Sequence, residues 1–76
     1  MAELMAEIAR RLVDHPDAVR VETAEEDGDL VLELHVAEDD RGKVIGRNGR
    51  IARALRTLAR AGSVREGRRV LLRIAG

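Results

Sequence analysis

Apolar positions fall into runs of differing period, and the periods predict the elements. Leu4, Ile8 and Leu12 recur every four residues with Met5, Ala9 and Val13 beside them, a helical stripe over roughly residues 3–14. Pro16 stops that helix, because proline constrains the residue before it. Val19 and Val21 alternate with Arg20 and Glu22 as a short strand with one wet face. The run Glu25-Glu26-Asp27-Gly28-Asp29 is a polar turn, and Asp27-Gly28 is a strong hairpin signal. Leu30, Leu32, Leu34 and Val36 then share one face of a second strand, with Glu33 and His35 on the other.

Asp39 or Asp40 is placed to cap a short helix that runs into Ile45. Glycines interrupt it at Gly46–Gly49. A longer helix follows, with Ile51, Leu55 and Leu58 turned inward and Ala52, Ala54 and Ala59 assisting. It ends near Gly62 or continues toward Gly67; both remain open. Val70, Leu72 and Ile74 alternate as a last strand. The predicted order is α-β-β-α-α-β. A right-handed crossover of that length makes the second and third strands parallel, while the hairpin makes the first two antiparallel. The fold class is therefore α+β, one domain over residues 1–76, with a three-stranded mixed sheet and helices packed on one face.

Composition narrows the chemistry. The chain has 76 residues, no cysteine and no Phe, Tyr or Trp. That describes one small aliphatic core without disulfides, thiolate metal sites or aromatic stacking platforms. It fits a reducing cytoplasm. Charged residues at positions 3, 7, 10 and 11 break the first apolar stretch, so neither a signal peptide nor a membrane span is expected. Net charge is zero, yet residues 1–40 hold 13 acidic and 3 basic side chains, and residues 41–76 hold 11 basic and 1 acidic. The two halves either bridge each other or leave a basic face for a polyanion; the charge split alone does not choose.

No catalytic arrangement emerges. His15 sits at a helix end beside Pro16, His35 lies on the polar parity of a strand, and Ser63 stands alone after Gly62. Adjacent Asp39 and Asp40 point apart and suit capping. The sequence predicts no enzyme, no metal and no cofactor.

The segment Gly42-Lys43-Val44-Ile45-Gly46-Arg47-Asn48-Gly49-Arg50 carries the densest signal. A dinucleotide fold would set its glycines directly after a strand, and a Walker loop would follow Lys43 with Ser or Thr. Neither condition is met. Gly46 and Gly49 instead bracket Arg47 and Asn48 as G-x-x-G between two helices. Loss of side chains at both ends lets a sugar-phosphate backbone lie against the loop, and the next helix brings the positive end of its dipole. Arg47 and Arg50 add charge, and Asn48 donates and accepts hydrogen bonds. This is the physical logic of a KH backbone clamp.

With that motif the chain resembles the KhpA family of small bacterial KH-domain RNA-binding proteins, related to type II KH domains. The likeness covers nearly the whole chain. It includes the stretch from Leu12 to Val19, the core Gly42 to Arg50, Ala54 to Leu58, and Gly67 to Val70. The resemblance implies single-stranded RNA binding, with the clamp on Gly46, Arg47, Asn48 and Gly49. It implies a groove floor from Val44, Ile45 and Ile51, an edge from Leu34 and Val36, and further contacts at Gly42, Lys43, Arg50 and Arg53. Lys43 is open to two roles, phosphate ligand or solvated helix residue. Arg50, Arg53, Arg56 and Arg60 recur at spacings of three and four as one basic stripe. Arg68 and Arg69 are placed to anchor the last strand to the acidic half.

The resemblance also implies an RNA chaperone or post-transcriptional regulator linked to cell shape and division. Its implied partners are single-stranded RNA, a KhpB-type multidomain KH protein and a second copy of the chain, with no membrane. The alternative is a protein-interaction (dimerisation) module with little nucleic-acid binding of its own.

Overall fold

A computed structural model describes residues 1–75. Its elements are α1 (Ala2–Leu12), β1 (Arg20–Glu26), β2 (Asp29–His35), α2 (Arg41–Ile45), α3 (Arg50–Ala61), α4 (Ser63–Glu66) and β3 (Val70–Ile74). Short 3-10 turns precede β1, α2 and α3. The order matches the one the sequence predicts, with the short α4 following α3 in the stretch toward Gly67 that the sequence left open. None of the described helices is long and apolar enough to cross a membrane.

Glu3 in the first turn of α1 and Arg10 and Arg11 in the last both complement the helix dipole. Val13 is already extended, and Pro16 opens the turn that delivers Val19 to the core. The buried face of α1 differs from the expected one. Met5, Ala6 and Ala9 are buried, whereas Leu4 is 46% exposed and Leu12 37%. At about 100° per residue the leucine line lies roughly a quarter turn from the buried centre. Small alanines let the helix approach β1 and β2 closely, and the leucines flank that contact.

The hairpin closes with Asp27 at φ 54° and Gly28 at φ 85°, the paired positive values of a type I′ turn. β2 is the central strand, antiparallel to β1 and parallel to β3. Leu32 and Leu34 point into the helix layer and meet Met5, Val44, Leu55, Ala59, Val70 and Leu72. α3 ends at Ala61, and the chain continues through helical Gly62 into α4, which stops at left-handed Gly67. Ala54 lies on the exposed side of α3. Ser63 Oγ accepts the Val70 N–H at 3.0 Å and so fixes the start of β3.

The sheet's other face carries charge: Arg69 meets Asp29 at 2.7 Å and Arg73 meets Glu26 at 3.1 Å. Arg68 pairs with Glu25, which lies opposite Leu30 at the end of the hairpin. The anchoring expected of Arg68 and Arg69 is present, with Arg73 as a third tie.

Asp40 is the one fully buried charged residue among those described. It occupies the N-cap position of α2, but its carboxylate does not cap that helix. It accepts the backbone N–H of Asp14 at 3.1 Å and of His15 at 2.9 Å, binding the α1–β1 connection to the start of α2. Burial opposes its charge, but the two N–H donors, with His15 and Lys43 nearby, outweigh that and hold its pKa below the ordinary 3.8.

A depressed carboxylate pKa stabilises the fold above the unfolded value and ceases to do so as pH falls through the folded one. Asp40→Asn is therefore expected to melt below the parent at pH 7, because an amide cannot accept both N–H groups with both of its heavy atoms. The gap in melting temperature should narrow below pH 3.8. Circular dichroism melts of both proteins between neutral and acidic pH check this, and a gap constant with pH would contradict it.

A candidate nucleic-acid interface

α2 is only five residues long, and its last turn leads into a reversal of four residues, Gly46 to Gly49. Gly46 adopts φ 77°, ψ 171°, a region essentially reserved for glycine. A Cβ built there would lie 2.7 Å from Ile51 Cγ1 and 3.0 Å from the Ile51 backbone nitrogen. Gly46 is thus required twice, by conformation and by the close approach of α3. Asn48 (φ 57°) and Gly49 (φ 74°) are left-handed, a conformation asparagine enters more readily than most residues. Gly42 is different: its φ is not positive, and a Cβ there would meet nothing within 4 Å.

The reversal is held by short-range bonds. Gly46 N–H donates to Gly42 C=O at 2.9 Å, and Gly49 N–H to Gly46 C=O at 3.1 Å. Arg53 reaches back from the first turn of α3 and donates to the Asn48 carbonyl at 2.8 Å. No side chain caps the start of α3, and its first turn carries no acidic residue. Its N–H groups and positive dipole end therefore meet no carboxylate from their own first turn.

The apolar residues expected around the loop separate into two layers. Ile45 is 36% exposed, and Ile51 and Val36 are half-buried, so these three present surface. Val44 and Leu34 are 0% and 1% exposed, which corrects their expected place as contact residues. They belong to the core beneath, because α2 packs against α3 and turns Val44 inward.

The cations separate too. Lys43 pairs with the Asp14 carboxylate and lies 3.6 Å from Asp40 Oδ1. Its hydrogen bond to Asp14 raises its pKa above the ordinary 10.5, against the opposing effect of desolvation. It is part of the α1–α2 tie, neither free nor simply solvated. With Lys43, Arg68, Arg69 and Arg73 paired to acidic residues of the first half, the two halves of the chain do bridge. Yet Arg47, Arg50, Arg53, Arg56 and Arg60 are exposed and, among the described residues, have no carboxylate within salt-bridge distance. The charge split is thus bridged in part, and the arginines of the loop and α3 stay outside the bridging.

Sequence patterns gave no signal for Arg41. Its Nε is buried and has no hydrogen-bond partner among the described residues, beside a pocket of about 300 Å³ that Val36 and Glu38 also line. This pocket is at the start of α2, and the glycine reversal is at its end. The described residues also bring Glu22, Glu33 and His35 together on the charged sheet face, their ligand-type atoms within 4.8 Å of one another. Arg20 and Arg73 extend that group into an ion-pair network.

The profile of the family described as KhpA/KhpB, KH domain, matches residues 2–74. The RNA-binding protein KhpA of Caldanaerobacter subterraneus subsp. tengcongensis is 49% identical over 74 residues, spanning 97% of this chain and 99% of the relative. The RNA-binding protein KhpA of Clostridium acetobutylicum is 47% identical over the same length, with the same shares. Among solved structures, Aquifex aeolicus Era bound to GDP·AlF4− is similar with a TM-score of 0.63 and 25% identity. Era in complex with MgGDPNP and a segment of 16S ribosomal RNA gives 0.62, also at 25% identity. Each likeness covers 96% of this chain but 28% of Era, so the chain spans just over a quarter of that protein's length.

The contrast between two glycines gives a direct test of the loop geometry. Gly46→Ala is expected to destabilise the fold by about 1–3 kcal/mol from the backbone alone, before the contact with Ile51 is counted. Gly42→Ala, in helical backbone facing open space, is expected to stabilise by about 0.4–1 kcal/mol. Urea denaturation of the two variants reads both signs. Equal effects, or the reverse order, would contradict the geometry.

Proposed function

The chain belongs to the KhpA/KhpB KH-domain family, and from that premise we propose that it binds single-stranded RNA through the Gly46–Gly49 reversal. One observation carries the reading: a backbone bare of side chains at both ends, next to an uncapped helix start, with Arg47 and Arg50 on either side of it and no acidic partner for them among the described residues. Phosphates of the RNA backbone lie against Gly46, Arg47, Asn48 and Gly49, with Gly42 leaving open space one turn earlier. Bases rest on Ile45, Ile51 and Val36, while Val44 and Leu34 support that surface from the core. Aliphatic side chains supply a shallow apolar floor without aromatic stacking, so base preference is weak. Arg53 fixes the loop from behind through the Asn48 carbonyl.

A single small module of this kind binds weakly, and a second linked module multiplies its affinity. The reading therefore includes assembly with a KhpB-type multidomain KH protein or with a second copy. Half-exposed Leu4 and Leu12 and the 89% exposed Val64 are apolar surface consistent with such pairing. As part of the same proposal, the protein acts in the cytoplasm as an RNA chaperone or post-transcriptional regulator linked to cell shape and division.

Three or four phosphate contacts, at about 0.7 log units of affinity per log unit of salt each, give a salt slope of roughly −2 to −3. Titration of the protein with a pool of short single-stranded RNA at several salt concentrations is expected to show that slope. An Arg47→Asp/Asn48→Asp variant with an unchanged melting temperature is expected to lose the binding. Affinity that ignores salt, or that survives in the variant, would count against this loop as the site. Failure of the parent to bind RNA at all would move the protein-pairing module ahead.

A further inference from the structure

Between Arg41 and Arg65 the chain contains no acidic residue, and α3 lies wholly within that stretch. Arg53, Arg56 and Arg60 are spaced three and four apart, so they stand on one side of the helix. All three are exposed, and none has a carboxylate within salt-bridge distance among the described residues. Arg68, Arg69 and Arg73, by contrast, are all paired with acidic residues of the hairpin.

The arginines of α3 are a poor arrangement for the isolated fold. Like charges at these spacings repel, and the helix also places cationic Arg50 at the positive end of its dipole. An anion outside the chain would relieve both effects. The row also has a definite beginning. Arg53 donates to the Asn48 carbonyl at 2.8 Å, so its guanidinium stands at the glycine reversal. From there Arg60 is seven residues on, about 10 Å along the helix.

We propose that the outer face of α3 is a second, sequence-independent RNA contact, in which Arg56 and Arg60 bind phosphates of the same RNA beyond the nucleotides held at Gly46–Gly49. The proposal rests on the clamp reading and extends it. The loop sets where the strand enters, Arg53 joins loop to helix, and the helix face lengthens the footprint by about two phosphates. Guanidinium groups suit this role because they pair with phosphate oxygens through two parallel N–H bonds. An RNA too short to leave the loop does not reach this face.

The test compares a tetranucleotide with a twelve-nucleotide single strand, both by fluorescence anisotropy over a salt series. Three proteins are used: the parent, Arg56→Gln/Arg60→Gln, and Arg47→Asp/Asn48→Asp. The helix-face variant is expected to bind the tetranucleotide within about twofold of the parent, while its salt slope on the longer RNA becomes shallower by about 1.4, or 0.7 for each lost phosphate. The loop variant is expected to lose both RNAs. An unchanged slope on the longer RNA in the helix-face variant, with binding still lost in the loop variant, overturns the second contact and keeps the clamp. That outcome would assign the arginine face to an acidic protein instead. Equal loss of the tetranucleotide in both variants also overturns the proposal, because the face would then be part of the clamp. Tetranucleotide binding that survives in the loop variant overturns the clamp reading and this extension with it.

Discussion

Four residues separate the last turn of α2 from the first turn of α3, and three of them sit at positive φ. That reversal brings α3 so close to Gly46 that even a methyl group would meet Ile51. The consequences run in both directions. Inward, α2 and α3 pack against each other, and Val44 and Leu55 join Leu32 and Leu34 in one aliphatic core. Outward, the same geometry leaves backbone without side chains beside the start of a helix, within a stretch, residues 41–65, that contains no acidic residue. Packing and binding surface are two faces of one backbone constraint.

A buried charge supports this arrangement from behind. Asp40 ties the end of α1 to the start of α2 through two backbone N–H groups, and Lys43 bridges to Asp14 across the same junction. A lone buried carboxylate is costly, but here its oxygens accept two donors and a cation stands close by. At the sheet, three arginines near the C-terminus pair with Glu25, Glu26 and Asp29 of the acidic hairpin. The neutral chain is therefore not a neutral surface. Pairing takes up eight carboxylates of the acidic half and, among the described residues, leaves the arginines of the loop and α3 without an acidic partner.

Much of this was legible in the sequence because its signals are local. Alternation in Leu30, Leu32 and Leu34 set the inward face of β2, Asp27-Gly28 set the hairpin, and the glycine spacing set the break between α2 and α3. Crossover length then set which strands run parallel. What escaped depends on contacts far apart in sequence. Asp40 receives its hydrogen bonds from residues 25 and 26 positions earlier, so local pattern suggested a helix cap instead. The four-residue period of Leu4, Ile8 and Leu12 identified a helix but not its buried side, which small Ala6 and Ala9 decide. The resemblance implies Val44 and Leu34 as groove residues, whereas packing from both sides leaves them 0% and 1% exposed.

The most direct measurement is an NMR titration of the nitrogen-15-labelled protein with single-stranded RNA, following every backbone amide. If the glycine reversal is the RNA site, the largest shift changes fall on Gly46 to Ile51, while the amides of β1 and the ion-paired sheet face stay nearly still. Shift changes centred on Glu22, Glu33 and His35, or along the Leu4 and Leu12 flank of α1, with the loop silent, would contradict it.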